Sequence, residues 1–334
     1  MPKIIRKNLL ICILIIVVVD AAIGYFLFKS RSFSHLAIWN IKESDKKDYF
    51  YWKPESAPEY FNFESTDDNR LAIFRDEIMP FIQYEKSDFK IILKVVKHVM
   101  NVSSSNVQPK LALKWDSPYG MLTQVKDGAS ANCFHRAILF STYLSAIGIK
   151  SRLWALENER FEAIAHTVNE VYVESLKKWV FMDTMFGFYA VESDKPLSFL
   201  ESRERLLDLG NSGILMQEMQ NENKKSEPPS NYKRLVRCIF LRSGNDFVDK
   251  YNLRYGGLNV YKGRIDRLPD NIRRGLDYLL GGRDVFIHYV DKYSGTLTPW
   301  IIIAKLCFYF FIFSPVLIAV ILVMNLSRKE TRHK

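Results

Sequence analysis

Two apolar runs of membrane-spanning length bracket this chain, and they limit its folding more than any other feature. The first extends from Leu9 to Phe28 with Asp20 as its one charged residue, and the second extends from Trp300 to Met324 with Lys305 as its one charged residue. About 20 consecutive apolar residues can cross the hydrocarbon core of a bilayer as a helix. The polar sequence between the runs is therefore expected to fold while attached to a membrane at both ends.

The charges outside the two runs predict the orientation of the chain. Two spans place both termini on one side of the membrane, and both tails are rich in lysine and arginine, which is typical of cytoplasmic segments. For a bacterial source this predicts an inner-membrane protein with its middle part in the periplasm or outside the cell. A cleavable signal peptide is the competing interpretation of the first run, although no clear Ala-x-Ala cleavage site precedes Lys29.

The charged residues within the runs predict a contact between the two helices. At a rise of about 1.5 Å per residue, Asp20 and Lys305 reach comparable depths when they are counted from opposite faces of the bilayer. Because intramembrane charges usually pair or mark a pathway, we expect an Asp20–Lys305 contact. The alternative is that Lys305 extends toward the headgroups while Asp20 faces a partner protein.

Between the runs, Cys133 lies at the predicted start of a helix. It follows a loop of small and polar residues in which Ser130 or Asn132 can cap the helix. Apolar residues then recur at helical spacing up to Gly148, which suits a left-handed C-cap. A thiol in the first turn lies near free backbone amides and the positive end of the helix dipole, which lower its pKa and can stabilise an oxyanion.

Two strand-like segments downstream carry a histidine and an aspartate. β-Branched and aromatic residues favour a strand from His166 to Val173, and a turn leads into a second strand that ends at Asp183. An antiparallel hairpin places these side chains on neighbouring strands, but the register stays open because the turn length is uncertain. The trio predicts a thiol triad in which Cys133 is the nucleophile, His166 is base and then acid, and Asp183 orients the imidazole.

Three local motifs around these residues match a known family. They are the helix-start cysteine with the helix end and strand of residues 146–152, the histidine strand of residues 166–172, and the Trp-Val-x-x-Asp motif of residues 179–183. In these motifs, residues 87 to 195 resemble the transglutaminase-like superfamily, a branch of the papain-like thiol enzymes. The resemblance implies an α+β fold with a helix that bears the cysteine and an antiparallel sheet that bears histidine and aspartate, here between two transmembrane helices.

The resemblance also implies an activity on amide bonds of a protein or peptide substrate. The acyl group held by Cys133 would pass either to water, which is hydrolysis, or to an amine, which is cross-linking, and the sequence does not choose between them. The chain departs from the family pattern after the cysteine, where His135 and Arg136 replace acidic or small residues. A nearby cation favours a thiolate, and an exposed His135 is the alternative.

No motif marks a second oxyanion donor beside the Cys133 amide, so Gln124 and Trp115 are candidates by position alone. We expect no cofactor, and we expect no metal because only Cys133 and His135 have close ligand spacing. A disulfide between Cys133 and Cys238 in an oxidising compartment would silence the nucleophile. The chain would then be a catalytically silent envelope scaffold or binding module, which is the alternative function.

The net charge of +10 favours contact with anionic lipid or acidic glycans, and not with nucleic acid, for a domain outside the cytoplasm. A polar linker at residues 221–230 separates the triad region from a basic segment. The predicted organisation is a cytoplasmic tail (1–8), a transmembrane helix (9–28), an N-terminal extension (29–86), a transglutaminase-like domain (87–220), a basic C-terminal extension (221–298), a transmembrane helix (299–324) and a cytoplasmic tail (325–334).

Overall fold

The computed structural model describes residues 3–29, 40–103, 117–157, 166–208, 214–221, 224–245, 247–248 and 285–330. In these ranges the chain forms ten strands and eight α-helices in a mixed α+β arrangement. The strands are β1 (Asn40–Ser44), β2 (Ser151–Glu157), β3 (His166–Val173), β4 (Lys178–Met182), β5 (Phe188–Glu192), β6 (Lys195–Pro196), β7 (Leu215–Glu218), β8 (Lys225–Ser226), β9 (Cys238–Arg242) and β10 (Val285–Tyr289). The helices are α1 (Lys3–Lys29), α2 (Ala72–Ile82), α3 (Asp88–Ser103), α4 (Pro118–Lys126), α5 (Cys133–Ala146), α6 (Phe199–Asp208), α7 (Tyr232–Leu235) and α8 (Thr298–Glu330).

The larger sheet has six strands in the order β1-β10-β9-β2-β3-β4. Only β1 and β10 pair in parallel, and the other neighbours are antiparallel. Strands from both sides of the β2–β4 segment thus complete one sheet. A second sheet has four strands in the order β6-β5-β7-β8.

The β3–β4 hairpin has the register that the sequence left open. Val171 pairs with Val180, and the last pair before the open end of the hairpin joins Asn169 and Met182. The connection is a short 3-10 turn followed by Lys177 in the left-handed region, with φ of 49°. His166 opens β3 and Asp183 follows β4, so both residues lie at the open end of this hairpin.

Helix α5 lies in the core, against β2, β3 and the neighbouring helices. Every residue from Ala137 to Ala146 is buried, because α2, α3 and α4 surround the helix on the sides that the sheet does not cover. Its polar residues are paired inside the core; for example, Asn169 of β3 donates to the carbonyl of Ala137 and to the Ser141 hydroxyl. Only the first turn of the helix reaches solvent, and this turn carries Cys133.

A buried ion pair fastens the N-terminal extension to the opposite face of the sheet. Arg152 Nε donates to Glu170 Oε2 at 2.6 Å, and both side chains are at most 2% exposed. Arg152 also donates to the carbonyl of Phe50 and lies over the Trp52 ring. Breaking one partner of such a buried pair leaves an unpaired charge in the core, so this contact fixes residues 50–52 against the sheet.

One helix in the described part of the chain is long and apolar enough to cross a membrane. The apolar part of α8 covers Thr298–Val323, 26 residues with a mean hydropathy of 2.7, and only 11% of its most apolar window is buried within the protein. In α1 the apolar stretch with described side chains, Ile11–Tyr25, is shorter and does not meet the same criteria. Of the two spans expected from the sequence, the second is therefore compatible with the structure and the first stays a prediction.

The expected Asp20–Lys305 contact is wrong. The Ser314 hydroxyl donates to Asp20 Oδ2 at 2.5 Å, and a Cβ at Gly24 would lie 2.9 Å from the Phe311 ring. This antiparallel register sets Asp20 level with Ser314, nine residues or about 13 Å along the helix from Lys305. The depth estimate failed because side-chain packing between the helices, and not the nominal membrane edge, sets their register.

Candidate functional site

The first turn of α5 presents Cys133 beside the open end of the β3–β4 hairpin. Of the two caps that the sequence allows, Ser130 and Asn132, the structure has Asn132, and its side chain accepts a hydrogen bond from the His135 amide at 3.1 Å. His135 completes the cap because its Nδ1 accepts from the Asn132 amide at 3.4 Å. His135 is buried, at 8% exposed, so the alternative of an exposed histidine is wrong. This cap holds the helix start, and with it Cys133, in a defined position.

Three side chains meet at the next part of the site. His166 Nε2 lies 2.7 Å from Asp183 Oδ2, and the Tyr232 hydroxyl donates to the same oxygen at 2.6 Å. Asp183 and Tyr232 are completely buried, whereas His166 is 6% exposed. With Nε2 turned to Asp183, Nδ1 is the imidazole nitrogen left for the thiol of Cys133. Cys133 forms a hydrogen bond with His166, so the structure brings the three predicted residues together and adds a tyrosine.

The two oxygens of Asp183 have separate tasks. Oδ1 accepts hydrogen bonds from the amides of Met185 and Phe186, both at 3.0 Å, and so stabilises the tight turn that follows β4. Gly187 takes a φ of 73° in this turn, which favours glycine. Oδ2 faces His166 and Tyr232. Asp183 therefore caps the turn with one oxygen and contacts His166 with the other, and the turn holds its carboxylate toward the imidazole.

The protonation states follow from burial and charge. Burial lowers the pKa of His166, but the charge and hydrogen bond of Asp183, together with those of Cys133, outweigh this and raise it to about 10. Burial raises the pKa of the Cys133 thiol, but hydrogen bonding to His166, its charge and the Thr167 amide together bring the pKa below its usual value. Burial likewise opposes ionisation of Asp183, and His166 and Tyr232 hold its pKa below the usual range. The site therefore favours a thiolate next to an imidazolium and a carboxylate.

Tyr232 is the site residue that the sequence did not reveal. It lies in the four-residue helix α7, 49 residues beyond Asp183, in a segment with no recognisable motif. Burial and the nearby carboxylate raise the pKa of Tyr232 well above its usual value, so its hydroxyl stays protonated and donates. A single tyrosine after a polar linker gives no sequence signal for such a contact.

Of the two candidates for a second oxyanion donor, the structure describes one. Gln124 lies in α4, where its carbonyl accepts from the Ala129 amide and closes the turn that leads to α5. Trp115 lies outside the described residues. Cys133 and Cys238 are both free cysteines, so the structure does not contain the disulfide that the sequence left open as an alternative. Among the described side chains, no three His, Cys, Asp or Glu residues are grouped as ligands for a metal ion.

Comparison with known proteins assigns the central segment. Residues 81–184 match the family model of the transglutaminase-like superfamily, a range that contains Cys133, His166 and Asp183 and ends one residue after Asp183. The resemblance inferred from the motifs is thereby confirmed for this segment. A comparison with curated proteins gives no match, and a comparison with solved structures gives none either.

Proposed function

We propose that the transglutaminase-like domain of this chain is a membrane-anchored thiol enzyme that acts on amide bonds of a protein or peptide. The observation that carries the proposal is the geometry of the site: His166 Nε2 lies 2.7 Å from the fully buried Asp183, and the imidazole forms a hydrogen bond with Cys133. In this arrangement the pKa of Cys133 is lowered and that of His166 is raised. A thiol becomes a strong nucleophile as its thiolate, and an imidazolium beside it can supply the proton that a leaving amine needs.

In the first half of the reaction, the Cys133 sulfur attacks the amide carbonyl carbon. The electron pair of the carbonyl moves to its oxygen, and the backbone amide of Cys133 at the start of α5 is the donor proposed for this oxyanion. When the C–N bond breaks, His166 gives its proton to the leaving nitrogen, and a thioester remains on Cys133. Gln124 is proposed as a further oxyanion donor, and Trp115 stays a candidate by sequence position.

In the second half, the neutral His166 takes a proton from the incoming nucleophile. Water then gives the carboxylic acid, and an amine gives a new amide; in both cases the Cys133 thiolate is released and His166 is again protonated. Asp183 keeps its charge throughout and holds the imidazole in one orientation. No cofactor takes part in this scheme.

We further propose that both apolar helices anchor the protein in a bacterial inner membrane with the thiol domain in the periplasm. The weakly buried α8, with Leu306 and Val323 each 63% exposed, presents an apolar surface that water does not favour. Helix α1 packs against it through Asp20 and Gly24. The basic C-terminal extension would face anionic lipid headgroups or acidic glycans.

The test is the rate at which iodoacetamide labels Cys133 in the full-length protein in detergent, measured by peptide mass spectrometry across pH. We expect labelling to begin at lower pH than for an ordinary cysteine and to fall by about 100-fold at neutral pH in His166→Ala. His98→Ala is the matched control, because His98 also contacts a carboxylate, with Nε2 3.1 Å from Glu77 Oε1. Slow labelling that is indifferent to His166 would instead favour a silent scaffold.

A second assay separates the two outcomes of the thioester. In a peptide library incubated with the protein, hydrolysis would convert the cleaved amide into a free carboxylate. Acyl transfer would instead join the acyl group to an added biotin-labelled primary amine through a new amide bond. Cys133→Ser should abolish either product.

A further inference from the structure

We propose that Arg136 forms a subsite for an anionic group of the acyl donor, next to Cys133, with Phe186 and Met185 as its apolar wall. The inference rests on the proposed function and specifies its substrate class: peptides with a carboxylate close to the scissile amide and an apolar side chain beside it. The sequence singled out Arg136 as a departure from the family pattern, and the proposed mechanism does not use it.

Arg136 lies three residues after Cys133 in the first turn of α5, and residues three apart lie on one side of a helix. Its guanidinium is held by two neutral groups: Nη1 lies 3.4 Å from the Met185 carbonyl, and Nη2 lies 3.3 Å from the Ser103 carbonyl. Its Nε is buried without a hydrogen-bond partner. A guanidinium has five N–H donors, so these long contacts leave much of its capacity unused.

The charge of Arg136 has no direct ion-pair partner among the described residues, although two anionic groups of the site act on it. In the part of the chain that the structure describes, no carboxylate forms an ion pair with it, and the charged groups that act on it are Cys133 and Asp183. Asp183 is already occupied by His166, Tyr232 and two backbone amides. A substrate carboxylate would offer the planar, bidentate partner that a guanidinium binds best.

The turn after β4 supplies the apolar part of the subsite. Phe186 is 48% exposed with its ring centroid 5.2 Å from that of His166, and Met185 is 38% exposed. Their amides are fixed by Asp183, so the two side chains extend from a rigid turn. The Phe186 ring thus lies beside the imidazole of His166, and the Arg136 guanidinium lies beside the Met185 carbonyl. A substrate bound at the thiol would contact this apolar surface and the guanidinium.

The test compares two alkylating reagents of similar size on the full-length protein in detergent. Iodoacetate is anionic and iodoacetamide is neutral, so the ratio of their labelling rates at Cys133 reports an anion subsite, whereas a changed thiolate population alters both rates together. We expect Arg136→Gln to lower the iodoacetate-to-iodoacetamide ratio about 10-fold, and Arg136→Lys to lower it less because the charge is kept.

Arg75→Gln is the matched control. Arg75 is also held by two backbone carbonyls, those of Ala146 and Thr66, but at the far end of α5. The ratio should stay at the wild-type value in this variant. If Arg136→Gln does not fold, the comparison of wild type with Arg136→Lys decides the matter.

The outcomes separate the two proposals. Fast labelling by both reagents with a ratio that Arg136→Gln and Arg136→Lys leave unchanged would overturn the anion subsite and leave the thiol enzyme intact. Slow labelling of the wild type by both reagents would overturn the proposed function itself. A lowered ratio in the Arg136 variants, with Arg75→Gln unchanged, supports the subsite.

Discussion

His166 and His98 both contact a carboxylate, yet their pKa values move in opposite directions. His166 Nε2 lies 2.7 Å from Asp183 Oδ2, and its pKa is raised to about 10. His98 Nε2 lies 3.1 Å from Glu77 Oε1, but burial outweighs the carboxylate there and the pKa of His98 is lowered. The two pairs therefore differ in the charge around the carboxylate as well as in the histidine–carboxylate distance.

The surroundings of the carboxylates explain the difference. Lys126 Nζ lies 2.7 Å from Glu77 Oε2, so a cation offsets the charge of Glu77, and the charge of Lys126 also opposes protonation of His98. Among the described residues, no lysine or arginine forms an ion pair with Asp183, although the charge of Arg136 acts on it. Its other polar contacts are the Tyr232 hydroxyl and two backbone amides, which stabilise its charge without cancelling it. Asp183 is fully buried and its hydrogen-bond donors besides His166 are neutral, so its charge strongly favours a protonated His166, and the hydrogen bond and charge of Cys133 add to this effect.

The largest difference between the two histidine–carboxylate pairs is expected when the charge of the carboxylate is removed. Asp183→Asn keeps the shape of the side chain but removes the anion that raises the pKa of His166, so the imidazolium and the thiolate both become less populated. We expect labelling of Cys133 by iodoacetamide to begin at higher pH and to fall by about 10- to 100-fold at pH 6. Glu77→Gln is the control and should leave the labelling profile unchanged. Coinciding profiles for Asp183→Asn and wild type would remove the basis of the comparison.

A smaller effect is expected at the two tyrosines. Tyr232→Phe removes a hydrogen bond to a charged group and should lower the free energy of unfolding by about 1.5–3 kcal/mol. Tyr143 is the counterpart at His98, where its hydroxyl lies 3.3 Å from Nε2, and Tyr143→Phe should cost about 0.5–1.5 kcal/mol.

Urea unfolding of the full-length protein in detergent measures both costs. The pH profile of Cys133 labelling should shift only in Tyr232→Phe, because that hydroxyl alone contacts Asp183. Equal profiles for the two tyrosine variants would mean that Tyr232 only supports the packing around it.

The smallest effect is expected at Lys126, which is 46% exposed. Lys126→Met removes the cation from Glu77 and should raise the pKa of His98 toward its usual value. In the wild type the lowered pKa of His98 stabilises the fold above about pH 6.5 and this contribution is lost as the pH falls. The free energy of unfolding, measured by urea unfolding, should therefore fall less in the variant than in wild type between pH 7.5 and pH 5.5. We expect this difference to be under about 1 kcal/mol. A pH dependence identical to that of wild type would show that burial alone sets the pKa of His98.

Local patterns predicted the elements that carry the site. The sequence places the start of α5 at Cys133, the start of β3 at His166 and a second strand up to Asp183, and the structure has α5 beginning at Cys133, β3 at His166 and β4 ending at Met182. These features depend on capping, turn residues and side-chain alternation, which act over a few neighbouring residues. The hairpin register was left open because it depends on how the turn closes.

The sequence by itself therefore determined the ordered trio, a cap at either Ser130 or Asn132, the helix and strands that hold the trio, and the apolar character of both ends of the chain. Only the tertiary structure decided that Tyr232 reaches Asp183 from 49 residues away, that Asp20 meets Ser314 and not Lys305, and that Lys126 offsets the charge of Glu77. Propensities and caps are properties of short segments, whereas these contacts depend on how distant segments pack. The protonation of each histidine is consequently a property of the folded site, because it is set by charges that distant parts of the sequence bring together.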